Sequence, residues 1–320
     1  MNTSPNPFVF FVGSPRSGTT MLKRMAGAHS MLAVTRETHW IPKYYERRRG
    51  ITHEGLVLPE LVDKLFEYHR FSQMKISRDR LLRIINRKPD PSYADLVTQI
   101  FDHYGKRKKK PLVGDKTPSY VRKIPTLTTL WPQAKVVHLI RDGRDVALSL
   151  RNWRMAHKAA GRFGTWQADP VVTAALWWKA LVSLGRQDGS SLAGERYMEL
   201  HYEALVKRPK HVCAGLTDFL GLPYEDAMVD YHKGKASEAD GLSANAAWKP
   251  PTKGLRDWRE QMPREDIERF EAVAGDLLDA LGYERVCPVV PAGVRRQVDV
   301  LKKQFTQEAN TRNWRLPESW

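Results

Sequence analysis

The sequence predicts an α/β fold with a P-loop-like central parallel β-sheet flanked by helices. Three observations carry this expectation. Residues 8–12 (FVFFV) form a short apolar run that ends at Gly13, gives way to a polar turn and continues into a helical pattern from about Met21. Lys135–Ile140 (KVVHLI) is a β-branched run with the length of a buried parallel strand, again followed by a turn and a helical pattern. Strand-like and helix-like segments go on alternating through 196–201 (RYMELH) and 209–220. That alternation is expected of a parallel sheet covered on both faces.

The elements follow in order. The first turn, GSPRSGTT, runs from Gly13 to Thr20. Gly13 and Gly18 have G-x-x-x-x-G spacing, and small residues there let backbone N–H groups surround an anion at a helix N-terminus. A Walker A loop would continue with Lys, but Thr19 stands in that place. The loop is built for phosphate yet lacks the lysine that stabilises a transferring γ-phosphoryl group. Met21–His29 reads as the first helix. Residues 31–34 lead into TRETHWIP, expected as a short strand or turn ending near Pro42. Residues 44–104 read as mostly helical, an insertion between core strands. A second core unit opens at Pro111, where PLVGDKTPSY reads as a short strand ending in a polar loop, and a helix is expected over 121–130. RDGRDVALSLRNW, from Arg141, reads as a turn into a helix. Residues 170–185, 209–220 and 264–281 read as helices, the last of them amphipathic. Another helix is expected over 294–307, then a tail. The expected organisation is one domain over 1–290 with the insertion at about 44–104, and a C-terminal helix and tail over 291–320.

Composition narrows the partners. The 320 residues include 52 Lys and Arg against 36 Asp and Glu, a formal net charge of +16. A basic excess favours anionic partners without choosing among nucleic acid, membrane surface and a polyphosphorylated small molecule. The densest cluster, KRKKK at 106–110, reads as a solvated loop. Cys213 and Cys287, the only two cysteines, lack metal-ligand spacing and read as reduced thiols of a cytoplasmic protein. FVFFVG is too short, and lacks the basic lead, for a signal peptide. No apolar run approaches the length of a membrane span.

A second set of residues joins the loop. Arg141 ends the strand KVVHLI and Ser149 follows eight residues later. Eight helical steps return to within ~80° of the start, so both can face the crevice at the carboxyl end of the sheet, where ligands bind. An Arg fork and a hydroxyl suit a phosphate monoester. Arg141, Asp142 and Arg144 could equally form surface ion pairs. Beside the first loop, the two sites together describe a nucleotide phosphorylated at both ends.

With these residues in view, the chain resembles the sulfotransferases that use 3′-phosphoadenosine-5′-phosphosulfate (PAPS). GSPRSGTT, RDGRDVALS at 141–149 and KGLRDW at 253–258 are similar to the three cofactor signatures of that family, and the resemblance runs from about Phe8 to Tyr283. In its catalytic core the chain is most similar to the bacterial sulfotransferases and the tyrosylprotein sulfotransferases. The resemblance implies that Arg16, Ser17, Gly18, Thr19 and Thr20 bind the 5′-phosphosulfate, and Arg141 and Ser149 the 3′-phosphate. It implies that Tyr202, Ser243, Lys253 and Gly254 also touch the cofactor. Glu37 in TRETHWIP falls at the catalytic-base position and Lys116 in GDKTP at the catalytic-lysine position. His39 is the competing base, or a residue that orients the acceptor. Related enzymes carry a further cofactor Arg twelve residues beyond Arg141; here that position is Trp153, with Arg151 and Arg154 close by.

These roles suit sulfuryl transfer. A positioned carboxylate takes the acceptor's proton, and a cation stabilises charge on the departing oxygen. The resemblance implies a hydroxyl-bearing acceptor, no nucleic-acid partner and no metal, with Lys and Arg as charge sink. It leaves open whether the acceptor is a phenol, sugar, lipid or peptide. Taken singly, Glu37 could be a surface carboxylate beside Arg36, Lys116 a solvated lysine, and His138 a hydrogen-bonded core residue. Two rival functions remain at this level. One is a P-loop kinase, which needs a Walker lysine and a Mg²⁺ carboxylate; the other is a noncatalytic anion-binding protein.

Overall fold

The computed structural model describes residues 4–87, 89–192, 194–233 and 257–320. β1 (Val9–Gly13) is buried throughout. Val9 and Phe11 enter the core on one face of the sheet, Phe10 and Val12 the core on the other. A strand buried on both faces must be apolar at every position, hence the unbroken run. α1 (Thr19–Ala28) leaves the first loop and turns back through β2 (Leu32–Thr35). The next stretch carries α2 (Trp40–Glu46), α3 (Glu60–Glu67), α4 (Arg78–Ile85) and α5 (Tyr93–Lys108) before β3 (Leu112–Lys116). α4 and α5 start at Ser77 and Ser92, whose hydroxyls accept from backbone N–H groups two or three residues into each helix.

A 3₁₀ turn over Pro118–Lys123 and α6 (Ile124–Leu130) lead to β4 (Lys135–Ile140), then α7 (Gly143–Arg151), α8 (Thr165–Ala168) and the long α9 (Pro170–Ser190). β5 (Tyr197–His201) runs directly into α10 (Tyr202–Lys207) and α11 (Pro209–Leu220). α12 (Trp258–Gln261), α13 (Arg264–Ala280) and α14 (Ala292–Thr311) complete the described chain, with α13 and α14 packed on α9.

The strands lie in the order β2-β3-β1-β4-β5, every pair parallel. Strand order reverses at β1, which opens a crevice beyond its carboxyl end. Register aligns what faces that crevice: Phe11 pairs with Lys116, Gly13 with Leu139 and Ile140 with His201. α1 and α11 cover one face, with Leu22, Met25 and Leu216 against Val137 and Leu139. α7 and α9 cover the other, with Val146 and Trp178 in one core with Phe10, Val12 and Ile140. Cys213 lies in the first core and Cys287 in the second; both are free and buried. Among the described residues no helix is long and apolar enough to cross a membrane.

Several expectations need correction. Of the strand or turn expected for TRETHWIP the structure has the turn, and it ends earlier: β2 stops at Thr35 and Pro42 lies in the first turn of α2, where a missing N–H costs nothing. KRKKK is solvated over 106–109 as expected, but it is not all loop. Residues 106–108 are the last turn of α5, and Lys110 Nζ donates to the carbonyls of Gly27 and His29, both at 2.7 Å, closing the end of α1. The helix expected over 170–185 runs on to Ser190, and that over 294–307 spans Ala292–Thr311.

Candidate active site

The first loop ends on Gly18, which holds φ 90° and ψ 11° as the residue before α1. A Cβ there would lie 2.4 Å from the Tyr202 ring, so only glycine fits both the backbone and the neighbour. No side chain caps α1 and its first turn holds no acidic residue, which leaves its N–H groups and dipole for an anion. α7, at the next strand end, differs: Asp142 accepts from Arg144 N at 3.0 Å and closes that helix start. Ser17 is fully buried, and its hydroxyl has no hydrogen-bond partner among the described residues. Buried polar atoms of this kind point to a ligand that satisfies them.

Arg141 and Ser149 do converge on the loop. Arg16 Nε donates to Ser149 Oγ at 2.9 Å, joining the two segments. The Arg141 guanidinium lies 4.3 Å from the Tyr202 ring centroid and donates to Asp145 Oδ2 at 3.0 Å. Burial pushes the Asp145 carboxyl up to about 6, against the lowering pull of Arg141. Arg141 Nε is buried and unpartnered among the described residues. Arg144 turns the other way. It is fully buried between Asp142 and Glu271 and lies 3.5 Å from the Trp258 ring centroid, which makes it a structural ion pair. Arg151 pairs with Asp266 at 2.6 Å.

Glu37 and Lys116 meet across the crevice. Lys116 Nζ donates to Glu37 Oε1 at 3.0 Å and lies 3.4 Å from Thr20 Oγ1 of the phosphate loop. Glu37 Oε2 is 3.0 Å from His39 Nε2 and accepts from Arg70 Nη1 at 3.1 Å. Lys116 is 6% exposed and Glu37 28%, so a solvated surface pair does not describe them. Burial alone would raise the Glu37 carboxyl, but the hydrogen bonds and charges of His39 and Lys116 outweigh it and hold it well below the usual carboxylate range. His39 sits at φ 56°, a left-handed backbone position that brings its ring to Glu37 and Ser119. The two residues therefore meet through a turn and not through strand alternation.

The turn carrying Glu37 is anchored from β3 and the segment after it. Thr38 N donates to Thr117 Oγ1 at 2.9 Å, Thr38 Oγ1 and Tyr120 Oη are 2.7 Å apart, and Thr35 Oγ1 donates to buried Asp115 Oδ2 at 2.8 Å. His138 is fully buried, with Nδ1 2.8 Å from Tyr197 Oη, a core histidine as expected. Ser243, Lys253 and Gly254 lie outside the described residues. Reading the sequence missed Arg70, the Thr35–Thr38–Thr117 set and the part played by Trp153, over whose ring the Arg16 guanidinium lies at 5.2 Å. Thr38 and Thr117 stand inside motifs and could have been found there; no local pattern marks Arg70.

Together the residues set two groups of hydrogen-bond donors around one crevice, and beside them a carboxylate linked to the loop through a lysine. Residues 7–226 match the model of the sulfotransferase family. The chain is 24% identical over 284 residues to protein-tyrosine sulfotransferase A of Caenorhabditis elegans, covering 87% of this chain and 68% of that protein. It is 25% identical over 286 residues to protein-tyrosine sulfotransferase 1 of Danio rerio, covering 87% and 72%. Its fold is similar to that of the sulfotransferase domain from the curacin biosynthetic pathway, with a TM-score of 0.63 and 23% identity over 88% of this chain and 100% of that one.

Proposed function

The chain belongs to the sulfotransferase family, and on that premise we propose that it moves a sulfuryl group from PAPS to an acceptor hydroxyl, with Glu37 as base. The observation that carries this reading is the position of Lys116, whose ammonium stands 3.0 Å from Glu37 and 3.4 Å from Thr20. One cation thus links a base to a phosphate loop. The residues also suit a doubly phosphorylated nucleotide. The unpartnered Ser17 hydroxyl and the uncapped start of α1 suit the 5′ end, and Arg141 with its buried, unpartnered Nε suits the 3′ end.

Bound PAPS supplies an activated sulfuryl group whose S–O bond to phosphate breaks as the S–O bond to the acceptor forms. Glu37 Oε1, the oxygen that Lys116 holds, takes the acceptor's proton and passes it to solvent. Lys116 stabilises the charge that grows on the departing oxygen. As its ammonium is shared with that oxygen, its hold on Glu37 weakens and the carboxyl becomes more basic. The proton is therefore accepted most readily when the acceptor releases it. His39 and Arg70 hold the carboxylate's second oxygen and keep it aimed.

Titration with 3′,5′-ADP and with ATP/Mg²⁺ tests the donor. Binding of 3′,5′-ADP is expected, and ATP binding without it would overturn the reading in favour of a kinase. The acceptor class is identified by incubating sulfur-radiolabelled PAPS and the enzyme with a lysate of the source cells and isolating the labelled product.

A further inference from the structure

We infer that Trp153 is a positioning residue for the nucleotide-binding arginine Arg16, acting through the face of its ring; this rests on the PAPS reading above. Arg16 holds φ 79°, a left-handed conformation that a non-glycine residue adopts at a cost. Its long side chain would otherwise sample many rotamers, and ordering it on ligand binding would cost affinity. Two contacts fix it beforehand. Nε donates to Ser149 Oγ at 2.9 Å, and the guanidinium carbon lies 5.2 Å from the Trp153 ring centroid. That distance is within the range of a cation–π contact, which is strongest over an indole.

Trp153 is placed for this by the chain around it. It follows the end of α7, its N–H donating to Leu150 O at 3.1 Å, and its ring packs partly buried against the core. α7 itself carries Ser149, so this helix and the turn that follows it deliver both restraints on Arg16. The indole Nε1 is buried with no hydrogen-bond partner among the described residues. An unsatisfied donor is a cost, so the ring's contribution is its face and not its N–H. No cation is needed at position 153 for this role; Trp153 holds a cation supplied by the phosphate loop.

The test is a set of 3′,5′-ADP affinities by calorimetry, with thermal melts of the ligand-free proteins alongside. Trp153→Leu removes the ring face and is expected to weaken 3′,5′-ADP binding about tenfold. Trp153→Phe keeps a face and loses only the N–H; its affinity is expected within about threefold of wild type. Because Trp153 acts through Arg16, the double variant Arg16→Ala/Trp153→Leu should bind no more weakly than Arg16→Ala alone, whereas independent roles would add. Additive losses, an unaffected Trp153→Leu, or a Trp153→Phe as weak as Trp153→Leu each overturn the inference. If Trp153→Leu does not fold, Trp153→Gln is taken through the same cycle. Failure of the wild type itself to bind 3′,5′-ADP would instead remove the donor reading, a result none of the other outcomes imitates.

Discussion

Glu37 is a carboxylate gripped by two cations, Lys116 and Arg70, and by the His39 ring. A carboxylate so held is ionised throughout the physiological range. Replacing it by Gln keeps its shape and removes its proton affinity. Glu37→Gln is expected to lower the rate of labelled sulfate transfer by about 10²–10⁴-fold while 3′,5′-ADP affinity stays near wild type; undiminished transfer would sink Glu37 as the base. The same grip fixes a pH signature. Burial presses the Glu37 carboxyl upward, but His39 and Lys116 overcome it and the group lies well below 4.5. Wild-type transfer should therefore show no acid limb from this group above about pH 4. Lys116→Ala removes one lowering partner, so the carboxyl rises and an acid limb enters the profile of the residual activity. Glu37 and Lys116 are legible in the sequence because each stands in a local pattern, ETH and GDKTP. Arg70 is not: it reaches Glu37 from 33 residues away, out of a helical stretch with no signature.

At the scale of elements, what reads clearly is what is decided locally. β1 is an unbroken apolar run and β4 is apolar but for Lys135 and His138, because both their faces are buried, and Gly18 marks the loop's end because no Cβ fits there. What does not read is what a distant partner decides. The sequence leaves TRETHWIP open between strand and turn, and the turn is decided by Thr38's ties to Thr117 and Tyr120; Lys110 is drawn from solvent because the end of α1 needs donors. Arg144 belongs to the same class. It stands inside the RDGRD motif, yet it joins α7 to α13 through Glu271 at 2.7 Å, with neither side chain exposed. Arg144→Ala would leave Glu271 and Asp142 buried without their cation. Urea melts are expected to show a loss of about 3–5 kcal/mol, enough to unfold part of the population at 37 °C. A melt unchanged from wild type would return Arg144 to the surface-ion-pair class.

At the scale of the molecule, the end of the chain is structural. Phe305 is fully buried, its ring stacked on Phe163 at 4.1 Å between centroids, and Trp314 packs edge-on to both. Phe305→Ala should cost about 3–5 kcal/mol in urea melts while 3′,5′-ADP affinity is retained in the folded fraction, since α14 sits on α9 far from the phosphate loop in the chain. The sequence predicts a helix here but not its seat, because a helical pattern does not say what covers the helix. The two cysteines have a practical consequence. They lie in cores on opposite faces of the sheet, and burial pushes the Cys213 thiol up to about 12 and raises that of Cys287 as well. Neither offers a thiolate to a maleimide or to hydrogen peroxide at neutral pH. The native chain is therefore expected to give no maleimide adduct by mass spectrometry without denaturant, so that one cysteine placed on the surface would take up a fluorophore alone.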